Sequence, residues 1–253
     1  MRVLILGGTT EASALAELIA GDLRFEATLS LAGRTSTPKP QPIATRVGGF
    51  GGADGLADFL RTHEIDAVVD ATHPYAARMS ANAVVACKQA GVPLVSLLRP
   101  AWMMQAGDRW TIVPTTVAAA LALGQAPQRV FLSLGRQDLH FFAAFTQHHY
   151  IARLIERPQQ SALPRGLVLL QQRGPFDFDA ELRLLKDQKI GVIVSRNSGG
   201  DATYPKIEAA RVLGLPVIMI SRRAKPAGHI VKSAEAAVAW LAQDGPPRSL
   251  RGV

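Results

Sequence analysis

The chain has 253 residues, of which 48% are apolar, 19% charged and 6% aromatic, and its formal net charge is +8. This composition excludes a disordered chain, and the single cysteine, Cys87, excludes a disulfide framework and a thiolate metal cluster. No apolar run reaches the ~20 residues that span a bilayer, and the first residues lack the regions of a signal peptide. We therefore expect a cytoplasmic protein without membrane contact.

The predicted elements alternate between short β-branched apolar runs and Ala- and Leu-rich stretches, which is typical of βαβ units and a parallel sheet. In the first half the predicted strands are 3–6, 27–31, 67–70 and 94–98, and the predicted helices are 12–20, 55–61 and 80–90. In the second half the predicted strands are 129–134, 151–155, 167–171, 191–195 and 217–221. The predicted helices there are 116–123, 139–145, 178–187, 205–213 and 234–242.

A weak internal repeat supports two similar α/β domains. Ala86, Gly91, Pro93 and Arg99 recur 123 positions later as Ala209, Gly214, Pro216 and Arg222. Each copy reads as a helix, a glycine cap, a proline that stops the helix, and a strand. We assign the domains to residues 1–112 and 113–253, with irregular segments at 35–42, 99–108 and the terminal 245–253.

The strongest local motif is Gly7-Gly8-Thr9-Thr10-Glu11, between the first strand and the first helix. Free backbone N–H groups at a helix N-terminus bind phosphate, and glycines allow a phosphate to approach. The motif is not a complete G-x-G-x-x-G and not a P-loop, so a tight βα turn without a ligand is the alternative.

The end of the second strand favours NADP over NAD. A domain that selects NAD places an acidic residue there to bind the ribose hydroxyls. This chain has Ser30 and Arg34 instead, a hydroxyl and a guanidinium suited to a 2′-phosphate. A surface arginine in a loop is the alternative.

Three further polar segments follow predicted strands, at the edge where open α/β sheets bind ligands. They are Asp70-Ala71-Thr72-His73-Pro74-Tyr75, Ser133-Leu134-Gly135-Arg136 and the long loop from Ser195 to Lys206. For His73 we favour a hydrogen bond to the backbone over a role as catalytic acid. The third loop combines Arg, Asn, Asp, Tyr and Lys and is longer than most βα loops, so we expect it to contact a ligand.

Other chemistries are not indicated. The six histidines show no metal-ligand spacing, so we expect no metal, and no Gly-x-Ser-x-Gly elbow is present. The Tyr-x-x-x-Lys pair of short-chain dehydrogenases is also missing, because Met79 follows Tyr75 and Glu208 follows Tyr204 at that spacing. Sparse aromatic residues argue against nucleic acid.

The chain resembles the precorrin-6A reductase family of cobalamin (corrin, porphyrin-type) biosynthesis over essentially its full length. The matching segments are LILGGTTEA (4–12), SLAGRT (30–35), DATHPYA (70–76), LLRPAW (97–102), SLGRQDL (133–139) and SGGDATYPKIEAARVLGLPVIMISR (198–222). The resemblance implies two Rossmann-like domains with mainly parallel sheets and a cleft between them. It also implies an oxidoreductase that acts on a CH–CH group and transfers a hydride from NADPH to precorrin-6A, giving precorrin-6B.

The resemblance and the motifs together assign the site residues. Those expected to bind NADPH are Gly7, Gly8, Thr9, Thr10, Glu11, Ser30, Arg34, Thr72, His73, Pro74, Tyr75, Gly135, Ser198, Gly199 and Gly200. Those expected to bind the substrate are Arg136, Arg196, Asn197 and Arg222. The catalytic candidates are Asp201, Tyr204 and Lys206, of which Asp201 and Lys206 alternatively pair with each other and hold the loop.

The charge distribution fits this substrate. Residues 1–112 carry equal numbers of basic and acidic side chains, so the whole excess of +8 lies in residues 113–253. A corrin precursor carries several carboxylates, and basic groups there would steer it. The candidates are Arg136, Arg196, Lys206, Arg222, Arg223 and Lys225. A solvated basic face is the alternative.

Two other functions stay open at this point. One is a cobalt-precorrin-6A reductase of the anaerobic branch, and we favour the cobalt-free substrate. The other is a nucleotide-binding sensor without catalysis, which the polar loop at 198–206 disfavours because it indicates a second ligand. Neighbouring enzymes of the pathway are further expected partners, through contacts that hand over the substrate or product.

Overall fold

The computed structural model of the chain describes residues 1–33, 39–158, 163–226 and 228–243. The chain forms two compact units. The first contains Met1–Pro100 together with the described residues from Arg223 onward, and the second contains Ala101–Arg222.

Each unit is built from parallel strands and the helices that connect them. The strands are β1 (Arg2–Leu6), β2 (Glu26–Leu31), β3 (Ala44–Val47), β4 (Ala67–Asp70), β5 (Leu94–Leu97), β6 (Arg109–Val113), β7 (Arg129–Ser133), β8 (His149–Leu154), β9 (Val168–Gln171), β10 (Val192–Arg196), β11 (Pro216–Ile220) and β12 (His229–Val231). The helices are α1 (Thr10–Ile19), α2 (Ala53–Thr62), α3 (Ala77–Ala90), α4 (Thr116–Ala122), α5 (Phe178–Asp187), α6 (Pro205–Val212) and α7 (Ala234–Gln243). Short 3₁₀ helices lie at Arg136–Phe142 and Asp201–Thr203.

The first sheet has six strands in the order β3-β2-β1-β4-β5-β12, and its strand pairs are parallel. Alternate residues of β1 point to opposite faces. Val3 and Ile5 pack in a cluster with residues of α1 and α7, whereas Leu4 and Leu6 pack in a cluster with residues of α2 and α3. Helices therefore cover both faces, which is why the central strands read as continuous apolar runs.

The second sheet repeats this arrangement with the order β9-β8-β7-β10-β11-β6, again with parallel pairs. Its central strands are also buried, as Phe131, Ile193 and Val217 illustrate. Both orders match the 3-2-1-4-5-6 pattern of dinucleotide-binding sheets, with β1 and β7 in the equivalent first position. The predicted fold class of two Rossmann-like α/β domains is confirmed.

The sixth strand of each sheet corrects the expected domain boundaries of 1–112 and 113–253. The strand β6 follows β5 along the chain but pairs with β11, so the second unit begins at Ala101. The strand β12 follows β11 but pairs with β5, and α7 packs against α1. The chain thus returns to the first unit at Arg223, and a boundary drawn once along the sequence cannot represent this return.

The internal repeat corresponds to equivalent positions in the two sheets. The helices α3 and α6 precede β5 and β11, the fifth strands of the two orders. Gly91 and Gly214 after these helices have φ angles of 68° and 63°. This left-handed region favours glycine, so the repeated glycines serve the same helix ends.

The three strands that the sequence did not predict, β3, β6 and β12, all lie at sheet edges. Edge strands are half exposed, so they lack the apolar run by which central strands are recognised. The predicted helix at 139–145 is instead the 3₁₀ helix Arg136–Phe142. Residues 35–38 of the irregular segment at 35–42 and all of 245–253 lie outside the described residues.

The return of α7 gives the first prediction. Leu241 is fully buried in the cluster that contains Val3 and Val95. We expect Leu241→Ala to lower the free energy of unfolding of the first unit by about 2–5 kcal/mol, because it leaves a cavity in that core. Denaturant unfolding measures the loss.

The control for this substitution is Leu18→Ala on α1, whose residue is 47% exposed. We expect it to change the free energy of unfolding by less than about 0.5 kcal/mol. Hydrogen exchange identifies the unit affected, because Leu241→Ala should accelerate exchange in β1 and leave β10 unchanged. Faster exchange confined to β10 would contradict the placement of α7.

Candidate functional site

The Gly7–Gly8 turn lies at the carboxyl end of β1, where the strand order of the first sheet reverses between β2 and β4. Gly8 has a φ angle of 108°, and a Cβ on Gly7 would lie 2.5 Å from Leu29 Cδ1. Glycine is therefore favoured at both positions, by backbone conformation at Gly8 and at Gly7 because a larger residue would displace the Leu29 side chain.

Thr9 caps helix α1 and ties the turn to the next loop. Its Oγ1 accepts a hydrogen bond from the Ala12 amide at 3.1 Å and donates one to the Ala71 carbonyl at 2.7 Å. The N-terminus of the ten-residue helix therefore opens directly after the turn, with Ala71 held beside it. Such a helix N-terminus can bind an anion.

Glu11 occupies the first turn of α1, where its charge would repel a phosphate. Its Oε2 accepts hydrogen bonds from Thr10 Oγ1 at 3.2 Å and from Arg99 Nη1 at 2.5 Å. Arg99 follows β5, so the pair links two points of the carboxyl edge. The arginine offsets the charge of Glu11 and places a cation next to the turn.

A buried ion pair organises the loop after β4. Asp70 and Lys225 have side chains that are 1% and 3% exposed, and Lys225 Nζ lies 2.7 Å from Asp70 Oδ2. The other carboxylate oxygen, Oδ1, accepts hydrogen bonds from the Thr72 hydroxyl at 2.6 Å and from the Thr72 amide at 3.1 Å.

The charge of Asp70 also affects the thiol of Cys87. Burial of the thiol, and secondarily the negative charge of Asp70, raises the pKa of Cys87 to about 12.

His73 forms the backbone hydrogen bond that we favoured for it from the sequence. Its Nδ1 accepts from the Tyr75 amide at 3.4 Å, and the two rings lie 5.7 Å apart. Pro74 between them is buried, while His73 and Tyr75 are half exposed. The loop therefore presents two polar rings at the same edge as the glycine turn.

Ser30 and Arg46 meet at the ends of β2 and β3. The register of the two strands places these residues opposite each other, and Arg46 Nη1 donates to Ser30 Oγ at 2.7 Å. Arg34, the other residue predicted for this position, lies outside the described residues. The described edge of β2 therefore carries a hydroxyl, that of Ser30, beside a guanidinium that belongs to Arg46.

The second unit has a different turn at the position of Gly7–Gly8. Gly135 adopts an extended conformation that any residue can take, with φ −75° and ψ 153°. A Cβ there would lie 3.6 Å from Asp138 Oδ2, and this oxygen is 2.6 Å from Arg196 Nη2. The ion pair between Asp138 and Arg196 thus lies beside Gly135. Asp138 partly neutralises the charge of Arg196.

Trp102 anchors the polar loop at 197–206. Its amide donates to Asn197 Oδ1 at 2.8 Å, its carbonyl accepts from Asn197 Nδ2 at 2.9 Å, and its indole N–H donates to the Gly200 carbonyl at 3.1 Å. Arg222 Nε donates to the Asn197 carbonyl at 2.6 Å. Asn197 and Arg222, predicted to bind the substrate, therefore also hold the loop in place.

The three catalytic candidates have different environments. Lys206 is buried, with Nζ 2.6 Å from the Thr203 carbonyl and 4.7 Å from the centre of the Trp102 ring. The Tyr204 hydroxyl accepts from Arg211 Nη2 at 2.6 Å, and hydrogen bonding to Asp108 is the main cause that raises the pKa of Arg211. Asp201 is exposed at the start of the 3₁₀ helix and forms no ion pair with Lys206 in the described structure.

The remaining predicted residues complete this picture. Ser198 Oγ lies 3.4 Å from Thr203 Oγ1, and Gly199 and Gly200 adopt positive φ angles of 63° and 77°. Arg136 is half exposed and forms no hydrogen bond with a described residue.

The structure argues against Lys225 as a residue that binds the substrate, because Asp70 of the first unit balances its charge. Among the described residues, no group of side chains is arranged to hold a metal ion and no helix is suited to cross a membrane.

Sequence reasoning missed three contributors to these sites: Arg46, Trp102 and the partnership of Asp70 with Lys225. A signal for Arg46 was visible in the segment Gly48-Gly49-Phe50-Gly51-Gly52, which directly follows β3. Asp70 and Lys225 are 155 positions apart in the chain, and no local pattern joins them.

Two parallel Rossmann-type sheets, one of which carries a glycine turn at its switch point, define a two-domain α/β protein with one dinucleotide-type turn. A family model described as precorrin-6x reductase CbiJ/CobK matches residues 2–242. The chain belongs to this family, and it is an oxidoreductase of cobalamin biosynthesis that acts on a CH–CH group.

Individual relatives agree with this assignment. The precorrin-6A reductase of Rhodobacter capsulatus is 51% identical over 245 residues, which cover 96% of this chain and 97% of the relative. A solved structure of CobK precorrin-6A reductase is 49% identical and superimposes over 100% of both chains with a TM-score of 0.92. The cobalt-precorrin-6A reductase of Priestia megaterium is 29% identical, over 87% of this chain and 90% of its own.

The buried pair gives the second prediction. We expect Asp70→Asn or Lys225→Met to lower the free energy of unfolding by about 3–5 kcal/mol, because each leaves the other charge buried without its partner. The double variant should lose much less than the sum of the two single losses. Urea unfolding of the four proteins measures the coupling.

The matched control is Glu26→Gln, which breaks the exposed contact with Arg2 at 3.2 Å. Exposed ion pairs contribute little, so its effect should stay below about 1 kcal/mol. Strictly additive losses for Asp70 and Lys225 would show that the two charges do not stabilise each other.

Proposed function

We propose that this chain reduces precorrin-6A with NADPH, giving precorrin-6B. The observation that carries the choice of cofactor is the edge of β2, where Ser30 meets Arg46, and the sequence from Ser30 to Thr35 contains no acidic residue. An acidic side chain there would bind the ribose hydroxyls of NAD and repel a 2′-phosphate. A hydroxyl and a guanidinium instead attract it.

The residues of the first unit fit a dinucleotide. The backbone of Gly7 and Gly8 and the N-terminus of α1 would bind the pyrophosphate, with the capping hydroxyl of Thr9 fixing the turn. Thr72, His73 and Tyr75 would flank the ribose and nicotinamide from the loop after β4. The bound cofactor supplies the hydride, and the chain's contribution is to position it and to exclude competing reactions.

The substrate would bind at the second unit. Arg136, Arg196, Asn197 and Arg222 lie at or near the carboxyl ends of its strands, where ligands of open α/β sheets bind. Arg136 has no partner among the described residues, so its charge would be available for an ion pair with a substrate carboxylate. Asn197 and Arg222 would act mainly by keeping the 197–206 loop in shape.

The proton that completes the reduction would come from Asp201, directly or through a water molecule. Asp201 is the exposed acid of the loop, whereas Lys206 is buried against Trp102 and the Tyr204 hydroxyl is bound by Arg211. Lys206 and Tyr204 are then positioning residues that hold the 3₁₀ helix on which Asp201 lies.

The cobalt-free substrate is favoured by the relatives. The reductase named for precorrin-6A is 51% identical to this chain, whereas the one named for cobalt-precorrin-6A is 29% identical. The expected outcome is that NADPH absorbance falls only when precorrin-6A is supplied, and falls more slowly with cobalt-precorrin-6A. NADH in place of NADPH should support a much lower rate.

Two results would overturn this proposal. Tight NADPH binding without oxidation in the presence of either tetrapyrrole would indicate a nucleotide sensor. A faster reaction with the cobalt-containing substrate would assign the chain to the anaerobic branch.

The role of Asp201 gives a separate prediction. We expect Asp201→Asn to lower kcat at least tenfold, a loss of about 1.4 kcal/mol in transition-state stabilisation, with little change in KM for NADPH. Steady-state kinetics at saturating NADPH provide the measurement. Glu208→Gln, at an exposed position of α6, is the control and should retain full activity.

A fall of less than about threefold in Asp201→Asn, roughly 0.7 kcal/mol, would remove Asp201 from the chemical step. Circular dichroism of both variants ensures that a lost loop structure is not mistaken for a lost proton donor.

A further inference from the structure

Arg46 is a half-buried arginine of the first unit that has no carboxylate partner among the described residues. Arg99, the other half-buried arginine at this edge, pairs with Glu11. The exposed Arg2, Arg24 and Arg61 each lie within 4.0 Å of an acidic oxygen. No Asp or Glu oxygen of the described residues lies that close to the Arg46 guanidinium. Its positive charge is therefore not balanced by the described part of the chain.

The hydrogen bonds of Arg46 leave one edge of the guanidinium unused by the described residues. Nη1 donates to Ser30 Oγ at 2.7 Å and to the Gly48 carbonyl at 3.2 Å, and Nη2 donates to the Gly49 carbonyl at 3.2 Å. A guanidinium has five N–H donors, so Nε–H and one Nη2–H remain. In a guanidinium, Nε–H and the adjacent Nη2–H lie on one edge of the planar group, and such an edge can bind two oxygens of one phosphate.

The surrounding loop fixes Arg46 in this orientation. Its guanidinium carbon lies 4.0 Å from the centre of the Phe50 ring, a cation–π contact. Phe50 stands between glycines at 48–49 and 51–52, of which Gly48 has a φ angle of 130°. A Cβ on Gly55 would lie 1.8 Å from the Phe50 carbonyl oxygen, so the loop is packed closely against the start of α2.

The electrostatic environment favours an anion at this place. Burial lowers the pKa of Arg46, because partial removal from water disfavours the cation. An anion next to the guanidinium would restore the stability of the charged form. The polar atoms already around Arg46, one hydroxyl and two carbonyl oxygens, orient the group without neutralising it.

We propose that Arg46, held by Ser30 and the glycine-rich loop at 48–52, binds the 2′-phosphate of NADPH and sets the preference over NADH. In dinucleotide-binding sheets the 2′ position of the ribose lies at the end of the second strand, where Ser30 stands. This inference rests on the proposed use of NADPH. It assigns the main contact to Arg46, a residue on a strand, and not to Arg34, which lies outside the described residues.

Equilibrium binding of two nucleotide fragments tests the proposal on the full chain. Isothermal titration compares 2′,5′-ADP, which carries the 2′-phosphate, with 5′-AMP, which lacks it. We expect Arg46→Gln to weaken 2′,5′-ADP about 10- to 100-fold, as for a lost hydrogen bond to a charged group, and 5′-AMP less than about threefold. Arg46→Lys should recover part of the loss, because a lysine keeps the charge but not the two-pronged geometry.

The matched control is Arg24→Gln, which removes an equal charge from the same unit at an exposed pair with Asp22. It should leave both affinities unchanged. Steady-state kinetics provide a second readout, in which Arg46→Gln raises KM for NADPH far more than KM for NADH.

Other results would overturn the proposal in distinguishable ways. Equal losses for both fragments would show that Arg46 only supports the loop. A selective loss in Arg34→Gln with none in Arg46→Gln would assign the phosphate to Arg34. If the unmodified chain binds 5′-AMP as tightly as 2′,5′-ADP, the proposed use of NADPH itself fails.

Discussion

Backbone pairing between β5 and β12 is the constraint on which the first unit depends. It brings the end of the chain back to a sheet whose other five strands lie within the first hundred residues. The returning segment delivers α7 to one face of that sheet and Lys225 to the carboxyl edge, where it neutralises Asp70. Asp70 in turn orients Thr72, so the loop expected beside the cofactor is shaped by residues from the opposite end of the chain.

Charges at the carboxyl edges are mostly balanced by partners within the same unit. Glu11 is paired with Arg99, Asp70 with Lys225 and Asp138 with Arg196. These pairs leave the net charge of +8 unchanged, but their three cations are already partly neutralised within the chain and are less available to a polyanionic substrate. Two half-buried cations have no acidic partner in the part of the chain that the structure describes, Arg46 in the first unit and Arg136 in the second. They are correspondingly more informative about where a phosphate or carboxylate binds.

The two sheets have the same strand order, but the turns after their equivalent strands β1 and β7 differ. After β1, two glycines and a capping threonine leave the N-terminus of a ten-residue helix open. After β7, Gly135 is extended, a 3₁₀ helix follows, and the Asp138–Arg196 pair lies beside the turn. Of the two turns, the one after β1 has the glycines and the open helix N-terminus that are typical of phosphate binding, so turn chemistry differs where strand order does not.

The sequence by itself determined the α/β class, the central strands and the Gly7–Gly8 turn, because apolar periodicity and glycine conformation are local properties. It also determined the polar character of the loop at 198–206. Tertiary structure alone decided the membership of β6 and β12, the burial of Lys225 against Asp70 and the meeting of Ser30 with Arg46. Each of these depends on pairing between segments that are distant in the chain. Half-exposed edge strands and single charged residues have no periodic sequence pattern that would predict such pairing.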